Sequence, residues 1–161
     1  MIKPIEEKYL EECLSVIHAA YLPVALQFGI TEQNCPYRAH ASLPLGELRR
    51  QLERGDFMYG YFLEHIIVGF ISFSKTGDVI KFNDLVVLPE YRHNGYGAEL
   101  LDFLKEQAAA HGARKIMLGM IDENTILKDW YIKNGFTTTG TKRFGGAPFT
   151  VGYMEWVRRR T

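Results

Sequence analysis

The sequence predicts a mixed α/β fold in which a central sheet of about seven strands carries helices on both faces. Three observations point there. Stretches with apolar residues at helical spacing interleave with aromatic and β-branched runs of strand length. Their order along the chain is strand, two helices, three strands, helix, strand, helix, two strands, as a sheet layered between helices requires. The chain has 161 residues, 47% hydrophobic and 24% charged, the size and balance of one globular domain over residues 1–161. A domain of this size buries roughly 70% of the surface its unfolded chain exposes, so a core holds it without staples.

Each element has its own signal. Ile2 to Ile5 reads as a short first strand. From Glu6 to Tyr21, apolar residues at Leu10, Cys13, Leu14, Ile17 and Ala20 keep helix spacing, and Pro23 predicts a break or kink. Gly29 to Pro44 is the least regular stretch and reads as a long loop, of the kind that is functional or mobile in a compact domain. A second helix is predicted from about Leu45 to Arg54, ended by Gly55. Phe57 to Leu63 and Ile66 to Ser74 are strands joined at Glu64-His65, and Val79 to Leu88 is a third. Gly95 to His111 is amphipathic, with Leu100, Leu101, Leu104 and Ala108 on one face and Gly112 closing it. Lys115 to Met120 is a short strand. Asn124 to Asn134 is a helix with Asn124 as N-cap and Gly135 as stop. Two final strands, Phe136 to Phe144 and Phe149 to Val157, flank Gly145-Gly146-Ala147-Pro148.

Composition narrows the function. Formal net charge is zero, without the basic excess by which phosphate neutralisation marks nucleic-acid binders. The basic tail Arg158-Arg159-Arg160 reads as a solvated end. Cys13 falls on the first helix's apolar stripe and reads as a buried small hydrophobe; Cys35 precedes Pro36 in the loop. Neither has metal-ligand spacing, nor do Cys35 and His40 find further ligands in the sequence, so no metal is expected. Met1 to Glu12 is too acidic for a signal peptide, and no apolar run approaches the ~20 residues of a membrane span. A cytoplasmic protein with no nucleic-acid or membrane partner is the expectation.

The sharpest local signal is Val86-Val87-Leu88-Pro89-Glu90-Tyr91-Arg92-His93-Asn94-Gly95-Tyr96-Gly97. A strand enters a glycine-bearing turn and a long helix begins at once. A helix N-terminus presents unpaired N–H groups and partial positive charge, which together bind anions. Gly95 and Gly97 leave the backbone open to close approach. A sharp strand-to-helix turn is the plain alternative. The P-loop pattern is absent, and Leu100 stands where a dinucleotide fingerprint needs its third glycine.

Arg92-His93-Asn94-Gly95-Tyr96-Gly97 resembles the R/Q-x-x-G-x-G/A acetyl-CoA signature of the GNAT (GCN5-related N-acetyltransferase) superfamily, and Asp84 to Tyr91 resembles the strand that precedes it there. The resemblance covers nearly the whole chain. It implies a mostly antiparallel GNAT sheet and an N-acetyltransferase that passes the acetyl group of acetyl-CoA, its co-substrate, to a primary amine by direct attack. It implies that the backbone from His93 to Ala98, with Arg92 ahead of it, holds the coenzyme pyrophosphate. The backbone of Leu85, Val86 and Val87 would pair with the pantetheine arm where that strand splays from the next after a bulge, Val86 or Val87 offering an N–H to the thioester oxygen. Family members are often dimers through their last strands, so a homodimer is among the implied partners. A non-catalytic acyl-CoA sensor is the alternative function.

Tyr131, in Trp130-Tyr131-Ile132-Lys133-Asn134-Gly135-Phe136, resembles the family's Y-x-x-x-G-F segment, which implies a general acid that protonates the departing coenzyme sulfur. An aromatic packing residue is the plain alternative. Asn124 matches a family asparagine that contacts pantetheine, and a plain N-cap accounts for it equally well. Some family members carry a glutamate base where this chain has Asn83, which cannot take a proton. Asp84 is the candidate base beside it, although neighbouring strand residues face opposite ways and a structural hydrogen bond is an alternative. Glu64 and His65 lie at a hairpin tip, away from the thioester. Ordered water is another route for the amine's proton.

By the same resemblance, acceptor specificity resides in Tyr21 to Pro44 and Phe144 to Phe149. Gln27, Glu32, Asn34, Tyr37, Arg38 and His40 of that loop would form a lid over a small polar amine, with Glu32 or Glu53 pairing the cation; a solvated connector is the alternative. The acceptor itself is not written in the sequence.

Overall fold

The computed structural model describes residues 1–35 and 40–159. Tyr37 and Arg38 of the expected lid, and Arg160 of the basic tail, lie outside them. Strand β1 is Ile2–Pro4, and helix α1 runs from Leu10 to Phe28 after a 3-10 turn at Glu7–Tyr9. A second 3-10 turn, His40–Ser42, leads to α2, Leu45–Glu53. Strands β2 (Phe57–Leu63), β3 (Ile66–Thr76) and β4 (Val79–Val87) follow as a meander, then α3 (Tyr96–Ala110), β5 (Lys115–Ile121), α4 (Thr125–Lys133), β6 (Thr137–Lys142) and β7 (Val151–Val157). Among the described residues no helix is long and apolar enough to cross a membrane.

Pro23 does not break the first helix, so of the two expected effects, a break or a kink, the break does not occur. The helix continues to Phe28 and stops at Gly29, left-handed at φ 65°. A proline inside a helix removes one N–H bond and crowds the turn before it. In that turn the Ala20 carbonyl accepts a bond of 3.0 Å from the Arg92 guanidinium, and the inner face is held by packing at Cys13, Val16, Ile17 and Ala20. The last two strands are shorter than expected, and β6 is exposed along its length.

The strands form one sheet in the order β1-β2-β3-β4-β5-β7-β6. Every neighbouring pair is antiparallel except β4 with β5, which α3 joins as a crossover. Core side chains fill both faces. Ile80, Leu100, Leu101, Leu104, Ile116 and Phe136 pack on the α3 side. Leu10, Ile17, Leu48, Ile67, Phe70 and Val86 pack on the α1 side. A third cluster joins Cys35 of the loop to Phe149 and Val151 of the final hairpin.

Two irregularities in the middle of the sheet set the course of β4. Phe82 pairs with Phe73 and Asp84 with Ser72, leaving Asn83 as the extra residue of a β-bulge. The bulge inverts side-chain alternation. Ile80, Phe82, Leu85 and Val87 face α3, while Val86, and Asp84 with it, face α1. The second irregularity is a splay: β4 and β5 pair only through Val79–Lys81 and Lys115–Met117, so β4 has no partner in β5 from residue 82 onward.

Candidate active site: a wedge between two parallel strands

The wedge opens where β4 and β5 part. Leu88 donates its N–H to Val68 at 2.8 Å, opposite it in the β3 ladder. An antiparallel ladder alternates, so Val86 turns its backbone groups to β3 while Leu85 and Val87 turn theirs to the wedge. Of the expected pantetheine-pairing residues, Leu85 and Val87 therefore present free directions and Val86 does not. The Val87 carbonyl is already met by Arg92 Nε at 3.3 Å, which leaves its N–H as the group facing the wedge.

At the end of β4 the chain makes a 3-10 turn at Pro89–Tyr91 and enters α3 through a left-handed turn. His93 has φ 67° and Gly95 φ 85°, and Gly95 is the N-cap. The first N–H to be used within the helix is that of Glu99, on the Gly95 carbonyl at 3.0 Å, so those of Tyr96, Gly97 and Ala98 point out of the helix end. A side chain at Gly95 would meet no atom within 4 Å, and one at Gly97 would make only ordinary contact with Trp130. The cradle is thus open, and what Gly95 supplies is the positive φ. Asn94 folds its amide onto the Tyr91 and Arg92 carbonyls at 3.0 and 3.3 Å, bracing the turn. Arg92 binds the Val87 and Ala20 carbonyls, so its guanidinium fastens the cradle to β4 and α1.

The opposite wall is α4. Asn124 is its N-cap, accepting from the Leu127 N–H at 3.3 Å. Tyr131, 4% exposed, packs against Phe82 of the splayed strand, Trp130 and Phe136 with ring centroids 6.1, 5.0 and 5.5 Å away. Its hydroxyl has no hydrogen-bond partner among the described residues, and burial raises its pKa well above the ordinary phenol value, so it carries its proton at neutral pH.

On the α1 side of β4 lies Asp84, 1% exposed. Its Oδ1 accepts from the Tyr21 hydroxyl at 3.1 Å and stands 3.0 Å from His40 Nδ1. The Tyr21 and His40 rings stack at 4.7 Å and 28°. The Tyr21 phenol is raised well above its ordinary pKa by burial first, then by Asp84 and by the proximity of Tyr131. Asn83 does not join them: its amide donates to Asp56 at 3.1 Å and anchors the bulge.

The sequence alone points to Tyr131, Asp84 and the cradle but misses Tyr21 as a partner of Asp84. The signal is there: Tyr21 is four residues after Ile17, on the helix's buried face, and a buried phenol needs a hydrogen-bond partner. The loop and the final hairpin do meet, at Cys35, Phe149 and Val151, whereas Glu32 and Glu53 are both exposed. Among the described residues no three His, Cys, Asp or Glu side chains gather as a metal site.

Comparison with known proteins converges on one family. The model of the acetyltransferase (GNAT) family matches residues 26–136. An uncharacterised N-acetyltransferase of Mycobacterium bovis is 32% identical over 79 residues, 48% of this chain and 51% of that protein. The thialysine N-epsilon-acetyltransferase of Sus scrofa is 33% identical over 78 residues, 48% of this chain and 44% of that protein. The chain spans about half the length of the curated relatives it matches. Among solved structures, the PaiA N-acetyltransferase of Thermoplasma acidophilum in complex with coenzyme A shares the fold, with a TM-score of 0.77 at 21% identity over 98% of each chain.

Proposed function

The chain belongs to the acetyltransferase (GNAT) family, and from that premise we propose that its one domain transfers the acetyl group of acetyl-CoA to a primary amine. The observation that carries the reading is the wedge. A strand paired on one side only runs into an open anion cradle, with a buried, protonated tyrosine on the facing wall. The residues fit the coenzyme. The N–H groups of Tyr96, Gly97 and Ala98, with the turn from Arg92 to Gly95, would hold the pyrophosphate, and the edge at Leu85 and Val87 would pair with the amides of the pantetheine arm. Asn124, the N-cap of α4, would add a side-chain contact to the pantetheine arm.

Acetyl-CoA supplies the acetyl group as a thioester. The wedge holds the amine nitrogen against its carbonyl carbon; a C–N bond forms as the C–S bond breaks. The Val87 N–H, which faces the wedge, would stabilise negative charge on the carbonyl oxygen. Tyr131 gives its proton to the departing sulfur, and the proton lost by the amine goes to Asp84 or to water. The pig relative acts on the ε-amine of thialysine, an alkyl amine, which supports an amine of that kind as the acceptor.

Thiol release from acetyl-CoA tests the reading, with a panel of polyamines, amino acids, aminoglycosides, aryl amines and short peptides. Tyr131→Phe is expected to lower kcat by about 100-fold or more and to leave acetyl-CoA affinity unchanged. Gly95→Trp, which forces a side chain on a residue at positive φ within the cradle, is expected to abolish coenzyme binding. Acetyl-CoA binding with undiminished turnover in Tyr131→Phe removes the tyrosine from the mechanism. Binding with no turnover on any amine favours a sensor over an enzyme.

A further inference from the structure

The helix end that would hold the pyrophosphate has an acid within its first turn. Glu99 is that residue, in the turn of α3 that leaves the N–H groups of Tyr96, Gly97 and Ala98 unused. Partial positive charge at a helix N-terminus favours a nearby carboxylate as it favours a phosphate. A Glu99 side chain turned toward that end would compete with the coenzyme for the same charge. Its own charge would also repel a bound pyrophosphate.

Glu99 does not turn that way. Its Oε2 accepts a hydrogen bond from the Tyr61 hydroxyl of β2. The order β2-β3-β4-β5 puts β2 on the side of β4 away from β5, so the carboxylate is drawn away from the wedge. Glu99 is an exposed residue, and the bond fixes a side chain that solvent would leave free to turn. Tyr61 is itself firmly held. It is 9% exposed and belongs to the core on the α3 side. Its ring meets that of Tyr96, one helical turn before Glu99, at 4.6 Å and 38°. One side chain of β2 thus grips the first turn of α3 at both residues of one face. The hydrogen bond to Glu99 first, and then burial, push the Tyr61 pKa up to about 12, so the phenol stays a donor at neutral pH.

We propose that Tyr61 is a positioning residue for the coenzyme: by tying Glu99 toward β2, it reserves the N-terminus of α3 for the pyrophosphate. This rests on the transferase reading, in which that helix end holds acetyl-CoA. Tyr61 touches neither the coenzyme nor the acceptor in this scheme. It acts through Glu99, and only on the phosphate-bearing part of the co-substrate.

The test sets acetyl-CoA against S-acetylpantetheine, which carries the same arm and thioester and no phosphate. Binding to the full-length protein is measured by calorimetry. Tyr61→Phe keeps the ring against Tyr96 and removes only the hydroxyl. At low salt it should raise the acetyl-CoA Kd about fivefold, the effect of a single charge moved near two phosphates in water. The difference should fall below about twofold near 1 M salt, where the Debye length is about 3 Å. Adding Glu99→Gln to Tyr61→Phe should bring the Kd back to within about twofold of wild type, because the two side chains act as one unit. Glu99→Gln alone should not weaken binding. Glu99→Asp keeps the charge but falls short of Tyr61. It should weaken acetyl-CoA as Tyr61→Phe does, and it decides the matter if Tyr61→Phe does not fold. S-acetylpantetheine should bind all of these proteins alike. An unchanged Kd in both Tyr61→Phe and Glu99→Asp would overturn the proposal. So would a loss that persists in the double variant or extends equally to S-acetylpantetheine, since Tyr61 would then be a packing residue only. Wild-type protein that binds no acetyl-CoA would instead overturn the transferase reading itself.

Discussion

Cys13 sits between Leu10 and Ile17 on the inner face of α1, and burial, with Glu12 beside it, pushes its thiol pKa up to about 12. The thiolate is the reactive form, so at pH 8 the native protein should hold Cys13 inert. In a Cys35→Ser background, Ellman's reagent is expected to modify Cys13 only as the protein unfolds in denaturant; prompt modification of native protein would mean that α1 opens on its own. Single residues of this kind were legible in the sequence because helix spacing alone separates inner from outer positions. Tyr131 was legible for a different reason, its place in a recognisable segment. Its burial against Phe82, Trp130 and Phe136 was not, because Phe82 comes from a strand about fifty residues earlier in the chain.

At the scale of elements, the wall that carries Tyr131 depends on how α4 begins. Asn124 caps it through the Leu127 N–H. Asn124→Ala is expected to lower stability by about 1 kcal/mol in chemical denaturation, and Asn124→Asp, which preserves the cap, by much less. A loss of acetyl-CoA affinity in Asn124→Asp at unchanged stability would add a coenzyme contact to the cap. Just before α4, Glu123 ties the end of β5 to the start of β7: both carboxylate oxygens accept from the Thr150 N–H, at 2.8 and 3.1 Å. That backbone bond, above all, lowers the Glu123 pKa below its ordinary 4.5. A carboxylate depressed on folding stabilises the native state above its unfolded pKa, and the contribution disappears as pH falls through the folded one. The difference in Tm between wild type and Glu123→Gln should therefore be present at pH 6 and shrink as pH drops below about 4.5. A difference that stays constant down to pH 3 would show that the charge is not what holds the strap.

For the molecule as a whole, the sheet carries a core on each face, and the wedge exists only while both hold β4 in place. Leu104 belongs to the α3 side and Ile17 to the α1 side, and both are fully buried. Leu104→Ala and Ile17→Ala should each cost about 2–5 kcal/mol. If the two layers fold as one unit, each substitution lowers the midpoint of a single calorimetric transition. Two separable transitions would mean that the faces unfold independently and that one sheet does not couple them.

By itself the sequence determined the elements, their order and the cradle. Those are local properties: apolar spacing, glycines at Gly29, Gly55, Gly95, Gly112 and Gly135 where the chain turns left-handed, and a strand followed at once by a helix. It left Pro23 open between a break and a kink, and the helix runs through it because packing of the inner face acts through distant residues, where a missing N–H counts only locally. The tertiary structure decided the rest. Alternation along β4 cannot say which way Asp84 points, because a bulge is defined by two strands and not by one; it is the pairing of Ser72 with Asp84 and Phe73 with Phe82 that expels Asn83 and turns Asp84 toward α1. Only then do Tyr21, His40 and Asp84, which stand far apart in the chain, become one polar cluster beside the wedge. Side-chain type can be read residue by residue, but the direction a side chain faces belongs to the pair of strands that holds it.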